Sequence, residues 1–153
     1  MLLTPHVLVG MVVAKAVPNP IIAPILSVIM HFLGDLFPHW DFYSFTTREE
    51  RLRGWRPIAV MADFGLGIAV GTAFTLHALW VQNNPALAVR CFICGIASVL
   101  PDALEAPHIF TNKKYIFIEK LANVQKQLQT QAPIPWGILT QILVIVFSLL
   151  LIL

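Results

Sequence analysis

The chain has 153 residues, of which 58% are hydrophobic and only 12% are charged. Soluble domains carry roughly 25% charged residues and about 45–50% apolar ones, so the composition excludes an ordinary soluble fold. A nucleic-acid partner is not expected either, because the net charge is only +2 and the chain has no basic tail. At this length we predict one all-α membrane domain that crosses the bilayer several times.

Five apolar segments predict five membrane helices, and prolines mark where most of them begin. Thr4, Asn19 and Asn84 each precede a proline, which pairs an N-cap side chain with the residue best suited to the first helical position. Arg56 also precedes a proline but is a poor cap. The predicted helices cover residues 5–17, 20–37, 57–82, 85–104 and 135–153. The first is short for a hydrocarbon core of about 30 Å, so we expect it to tilt or to lie partly in the interface.

A polar stretch separates the last two apolar segments and predicts an amphipathic helix on the membrane surface. Its apolar residues recur with a loose helical period, and lysines and glutamines occupy positions between them. These apolar residues are Tyr115, Ile118, Leu121, Ala122, Val124 and Leu128. The single domain thus divides into membrane helices over residues 1–110, an interfacial helix over 111–131 and a final transmembrane helix over 133–153.

The positive charges orient these helices in the membrane. Eight of the ten lysines and arginines lie in two connections. Those between the second and third segments are Arg48, Arg51, Arg53 and Arg56, and those between the fourth and fifth are Lys113, Lys114, Lys120 and Lys126. Connections rich in lysine and arginine stay in the cytoplasm, so we expect both of them, and the N-terminus, on the cytoplasmic side.

Ionisable residues that are scattered along the sequence converge at this side of the predicted bundle. All eight acidic residues and four of the five histidines fall there, and only His77 lies near the opposite face. The stretch HFLGDLFPHWD, residues 31–41, carries four of them. His31 and Asp35 are four residues apart, so they share one helix face, and His39 joins them if the helix continues past Pro38.

We predict that this cluster binds a divalent metal ion. An ionisable side chain deep in a bilayer costs on the order of 2.5–3.5 kcal/mol, so it needs an inward-facing partner. The arginines and lysines lie mostly in the connections, and clustered carboxylates repel one another. A divalent ion resolves this conflict, because neutral imidazole and carboxylate groups are suitable ligands for zinc, manganese or iron. The cluster offers more ligands than one tetrahedral ion needs, so a centre of two or three ions is a further option.

Each residue alone also has a simpler interpretation. His6 can sit at the level of the lipid headgroups, and Asp41 can cap the connection that follows it. Asp102 and Glu105 come after Pro101 and can be the first-turn acids of a short helix, where the helix dipole favours negative charge. We favour the metal because these separate explanations do not account for a gathering at one leaflet.

Four motifs resemble small prokaryotic membrane proteins that are grouped with the predicted membrane-bound metal-dependent hydrolases. They are TPH at residues 4–6, HFLGDLFPHWD at 31–41, the aspartate at position 63 and SVLPDALEAPH at 98–108, and together they span about residues 1–110. The His-x-x-x-Asp spacing more distantly resembles the all-α zinc-dependent phospholipase C and nuclease family. The resemblance implies a prokaryotic inner-membrane protein, zinc as the favoured metal, and seven candidate ligands: His6, His31, Asp35, His39, Asp63, Asp102 and His108.

The favoured function is hydrolysis of a phosphate ester on a phospholipid or lipid-linked substrate at the cytoplasmic headgroup level. Asp63 or Glu105 serves as general base if it is not a ligand. The anionic headgroup would be attracted by four basic residues, Arg53, Arg56, Lys113 and Lys114. Ion or proton transport is the main alternative, because intramembrane acids and histidines also mark such paths and five spans can form a channel as a homo-oligomer. A structural subunit whose helices are held together by metal is the third.

Overall fold

The described elements of the protein are all helices, which confirms the predicted fold class. The computed structural model describes residues 1–110 and 115–153, without the side chains of Arg48 and of residues 107–110, and no β-strand occurs within this part. The seven α-helices found there are α1 (Leu3–Ala16), α2 (Ile22–Leu36), α3 (Arg48–Arg51), α4 (Arg56–Leu76), α5 (Pro85–Phe110), α6 (Ile116–Leu128) and α7 (Ile134–Ile152). Helix α4 runs directly into a π-helical turn, His77–Val81.

Three stretches of helix are long and apolar enough to cross a membrane. They cover Arg56–Val81, Pro85–Ala106 and Ile134–Ile152, and most of their residues are not buried within the bundle. Large apolar side chains such as Phe92 and Phe147 are exposed along them. A surface of this kind is stable where it meets lipid, which is consistent with a membrane protein. Helices α1 and α2 are also apolar but are shorter than these three spans.

Helix α1 lies in the centre of the bundle. It packs against α2, α4, α5 and α7, and nine of its fourteen residues are buried. A helix that is apolar on every side needs such surroundings. Its length of about 21 Å is short for the hydrocarbon core, but the longer helices around it supply the membrane-facing surface.

Asn84 caps its helix as predicted, Asn19 binds the start of α2 from two residues before the N-cap Ile21, and Thr4 is not a cap. The Asn19 side-chain oxygen accepts two backbone N–H groups at the start of α2, at 2.9 and 3.1 Å, and Asn84 accepts one at the start of α5, at 3.0 Å. Thr4 lies inside α1, which begins at Leu3. The carboxylate of Asp63 caps α1 from the neighbouring helix α4, because a charged oxygen is a stronger acceptor than a hydroxyl.

Five helix ends meet at one end of the bundle, which we call the cluster end. They are the N-termini of α1, α4 and α7 and the C-termini of α2 and α5. Gln141 of α7 joins two of these regions, because its Oε1 accepts the N–H of Leu2 at 2.8 Å and its Nε2 donates to the Trp40 carbonyl at 2.7 Å. At the opposite end, Lys15 of α1 donates to the carbonyl of Ile152 in α7.

Helix α2 ends before Phe37, because a residue that precedes proline is pushed out of the helical conformation. Phe37 is extended, with φ −70° and ψ 138°, so the helix does not continue past Pro38. His39 is held instead by the segment that follows α6. Its N–H donates to the Thr130 carbonyl at 3.0 Å, and its carbonyl accepts the N–H of Ala132 at 2.8 Å.

Candidate metal centre

Side chains from three helices meet at the cluster end in an arrangement that can hold a metal ion. They are His6 of α1, His31 of α2 and Asp102 of α5, and each offers one ligand atom. These atoms lie within 4.8 Å of one another, and both histidines are 1% exposed. Their rings stack, with centroids 4.0 Å apart. The fold thus brings together three of the candidate ligands from distant parts of the sequence.

His31 is held in the tautomer that a metal ligand requires. Its Nδ1 lies 2.8 Å from the backbone carbonyl of Ser98. A carbonyl can only accept, so Nδ1 carries the proton and the lone pair lies on Nε2. That atom faces two carboxylates, at 3.6 Å from Asp102 Oδ1 and 3.7 Å from Asp35 Oδ2. A backbone carbonyl on the second ring nitrogen commonly orients a metal-binding histidine.

His6 is fully buried, yet neither of its ring nitrogens has a hydrogen-bond partner among the described residues. Its Nε2 lies 3.3 Å from Asp35 Oδ1, but the two groups are not aligned for a hydrogen bond. Asp35 is equally buried, and its Oδ2 makes no hydrogen bond to this part of the chain either. Buried polar atoms without partners are rare and cost roughly 1–3 kcal/mol each, so an imidazole lone pair beside a carboxylate oxygen fits a bound cation.

A second group of polar atoms adjoins Asp35. His39 Nε2 lies 3.9 Å from Asp35 Oδ1, and the amino group of Met1 lies 2.5 Å from the same oxygen and 2.8 Å from His39 Nε2. His39 Nδ1 donates to the carbonyl of Phe37 at 2.8 Å, which leaves the lone pair on Nε2. Burial lowers the pKa of His39, and the nearby ammonium lowers this pKa further. The ring is therefore neutral at pH 7 and in the form that binds metals.

Gln125 of α6 reaches into the cluster, and the sequence interpretation missed it. Its side chain is 2% exposed, and its Nε2 donates to Asp102 Oδ1 at 2.8 Å and lies 3.3 Å from His31 Nε2. The helical period of α6 indicates its position, because Gln125 follows Leu121 by four residues and Ile118 by seven and so lies on the same inward face. Helix α6 therefore covers the cluster and contributes a polar side chain to it.

Glu105 places another carboxyl group close to Asp102. Helix α5 continues through Pro101, so the alternative in which the two acids open a separate short helix is wrong. Asp102 and Glu105 are three residues apart and lie on neighbouring parts of one helix face. Oε1 of Glu105 is buried and makes no hydrogen bond within the described part of the chain, so it is free to accept one.

Asp63 caps α1 and does not belong to the group of three ligand atoms. Its Oδ2 accepts the N–H of Leu3 at 2.6 Å, and its Oδ1 accepts the N–H and the hydroxyl of Thr4 at 3.2 and 2.7 Å. These bonds occupy most of the accepting capacity of the carboxylate. Asp63 therefore has a structural role at the start of α1.

We expect Asp63→Ala to destabilise the protein by about 0.5–2 kcal/mol, the range found when a helix loses its cap. Unfolding of the detergent-solubilised protein, followed by circular dichroism, measures this loss. Glu49→Ala on the exposed side of α3 is the control and should change stability by less than about 0.5 kcal/mol. A loss of bound metal in Asp63→Ala, without a loss of stability, would contradict the capping role.

The remaining candidate residues lie at the edge of the site or outside the described part. Asp41 Oδ2 is 4.0 Å from His39 Nε2, while its Oδ1 accepts a backbone N–H two residues later at 2.7 Å, which fits the capping alternative. Arg53 is exposed, and Arg56 donates through Nε to the Phe42 carbonyl at 3.2 Å. The side chains of His108, Lys113 and Lys114 lie outside the described residues.

No protein-family model, curated protein or solved structure matches this chain. Function is therefore inferred from the chemistry of the residues in the site. The donor set suits a divalent cation, because it combines oriented imidazole lone pairs with carboxylates and with buried acceptors that lack partners. The Asp102 side chain is 25% exposed, whereas His6 and His31 are buried, so the ligand group is reached most easily from the side of Asp102.

Proposed function

We propose that the protein binds a divalent metal ion through His6, His31 and Asp102, with Asp35 as a further ligand. The observation that carries this proposal is the state of His6, a fully buried imidazole that lies among other ligand atoms and has no hydrogen-bond partner within residues 1–106 and 115–153. Zinc suits this mixture of nitrogen and oxygen donors, and manganese and iron accept the same groups. The Met1 amino group lies 2.8 Å from His39 Nε2 and 2.5 Å from Asp35 Oδ1, so His39 is not among the proposed ligands.

We infer further that this centre hydrolyses a phosphate ester of a phospholipid or lipid-linked substrate. A metal held by His6, His31 and Asp102 would supply a Lewis acid for a phosphoryl oxygen and would make water more acidic. Glu105 takes a proton from the attacking water as the water oxygen bonds to phosphorus, and it returns this proton to the leaving oxygen as the ester P–O bond breaks. The partly exposed Asp102 marks the side on which the ester group enters.

The position of the cluster end supports a lipid substrate. The cluster lies where three membrane-crossing helices begin or end, which is the level of the headgroups. Arg53 and Arg56 lie at the same end and attract an anionic headgroup. From the distribution of lysines and arginines we assign this end to the cytoplasmic face of an inner membrane. The resemblance to the membrane-bound metal-dependent hydrolases agrees with this assignment.

We expect Glu105→Gln to lower the turnover of a phosphate ester by about 10²–10⁴-fold, the usual contribution of a general base, while the bound metal is retained. Hydrolysis of phosphatidic acid in mixed micelles and of bis(p-nitrophenyl) phosphate, with zinc or manganese supplied, measures turnover. Glu49→Gln is the matched control and should keep full activity, because Glu49 is exposed on α3.

The same samples separate an enzyme from a structural metal protein. If the wild-type protein holds metal, melts at a higher temperature with it and hydrolyses neither ester, the metal only ties the helices together and the enzyme proposal is wrong. If Glu105→Gln and the wild type are equally active, Glu105 is not the base.

A further inference from the structure

An apolar groove runs between α4 and α5, with α1 as its floor. It encloses about 320 Å³, and Thr72 and Thr75 are the polar side chains in its lining. Gly67 and Gly71 of α4 and Gly95 of α5 line it, and a Cβ atom at each would lie 3.1–3.4 Å from Val7 or Met11 of α1, so these glycines let both walls approach the floor closely.

We propose that this groove binds one hydrocarbon chain of an anionic phospholipid from the leaflet that contains the cluster end. The phospholipid is then the substrate of the metal centre, and this second part rests on the proposed function.

The surroundings of the groove favour a lipid chain as its occupant. Both walls belong to membrane-crossing helices. Ile68, Phe92 and Ile96 line the groove and are 56%, 59% and 50% exposed, so its mouth faces the hydrocarbon of the bilayer. An empty groove would leave its lining without contacts, and a flexible hydrocarbon chain restores them.

The groove is long enough for most of one hydrocarbon chain. Its lining on α5 extends from Cys91 to Ala103, and these twelve steps of helix rise about 18 Å. Gly95 lies near the middle of the span Pro85–Ala106, so the groove passes the midplane of the bilayer. A chain that enters from the cluster end therefore reaches past the midplane when it fills the groove.

The groove leads to the candidate metal centre. Gly95 in the lining and Asp102 in the ligand group are seven residues apart, so they lie on the same stripe of α5. Ala103, next to Asp102, lines the groove at the cluster end. Arg56 begins α4 eight residues before Phe64, another lining residue, and thus about 12 Å further toward the headgroups. A lipid with its chain in the groove therefore places its phosphate near both Arg56 and the ligand group.

The test is photolabelling of the full-length protein in phosphatidylcholine vesicles, without added metal. A phosphatidylglycerol with a diazirine in one acyl chain is the probe, and mass spectrometry maps its adducts. We expect adducts on groove residues such as Ile68 and Ile96. Thr72→Trp fills the groove and should reduce these adducts by about tenfold, the effect of losing the burial of two methylene groups. Ala73→Trp, exposed but outside the lining, is the matched control and should keep them.

Three results would overturn the proposal. Even labelling of all lipid-facing helices, unchanged by Thr72→Trp, would mean that the groove has no preferred occupant. Cross-links between two copies through the groove would show that a second copy fills it. Equal labelling by a phosphatidylcholine probe would remove the anionic headgroup from the proposal.

Hydrolysis tests whether the phospholipid in the groove is the substrate of the metal centre. Hydrolysis of the phospholipid should fall in Thr72→Trp and persist in Ala73→Trp, and equal hydrolysis by both would overturn the assignment. Failure of the metal proposal is distinguishable, because His6→Ala should lose metal while acyl-chain labelling remains. Loss of labelling with retained metal would overturn the groove alone.

Discussion

His6→Ala should bind zinc at least about 100-fold more weakly than the wild-type protein. Changes to residues that merely orient a ligand already cost about 10–100-fold in metal affinity, and His6 is a direct ligand in the proposed centre. Metal content after purification in chelator-free detergent, measured by mass spectrometry, and zinc titration against a chromogenic chelator give the two affinities. His77→Ala is the matched control, because His77 is exposed on the π-helical turn at the opposite end of the bundle.

Stability separates the loss of a ligand from the loss of the fold. In the metal-free protein, alanine at position 6 removes two buried nitrogens without partners, which offsets part of the cost of the cavity it leaves. We therefore expect chelator-treated wild-type and His6→Ala proteins to melt at similar temperatures, and metal to raise only the wild-type Tm. Equal zinc affinity in both proteins, or loss of zinc from His77→Ala, would show that the assigned ligands are wrong.

Much of the cluster of histidines and aspartates can be predicted from the sequence, because a bilayer restricts where ionisable residues lie. Ionisable residues in apolar helices need partners, and alternating helix directions bring the start of α1 and the ends of α2 and α5 to one side. His6, His31 and Asp102 are therefore found by hydropathy and direction alone, although nearly one hundred residues separate the first from the last. The spacing of His31 and Asp35 on one helix face adds the fourth member.

Long-range contacts explain what the sequence could not predict. His39 reaches Asp35 although α2 ends before it, because backbone bonds to Thr130 and Ala132 hold its segment in place. Asp63 was expected in the site because of its depth in α4, yet the N–H groups at the start of α1 compete for its carboxylate. No local pattern encodes either pairing, since each depends on which helices are neighbours.

Helix α7 makes a further long-range contact that its own sequence does not predict. Its sequence is an uncharged apolar span, but Gly137 allows its backbone to approach the segment after α2 closely. A Cβ atom at position 137 would clash with the backbone nitrogen of Trp40 and lie 2.8 Å from the carbonyl carbon of His39. Because these are backbone atoms, they cannot move aside by changing a side-chain rotamer. We expect Gly137→Ala to destabilise the protein by about 1–3 kcal/mol, the cost of overpacking a close contact.

The matched control for this prediction is Gly65→Ala, since a Cβ atom there meets open space. It should leave stability unchanged or raise it by up to about 1 kcal/mol, because alanine favours a helix more than glycine does. Thermal unfolding in detergent measures both variants. In Gly137→Ala the shifted segment carries His39 away from Asp35, whereas His6, His31 and Asp102 lie on other segments, so zinc affinity should fall far less than in His6→Ala. A stable Gly137→Ala protein would mean that α7 and the His39 segment do not touch. The second group of polar atoms, which adjoins Asp35, would then not be held in place by α7.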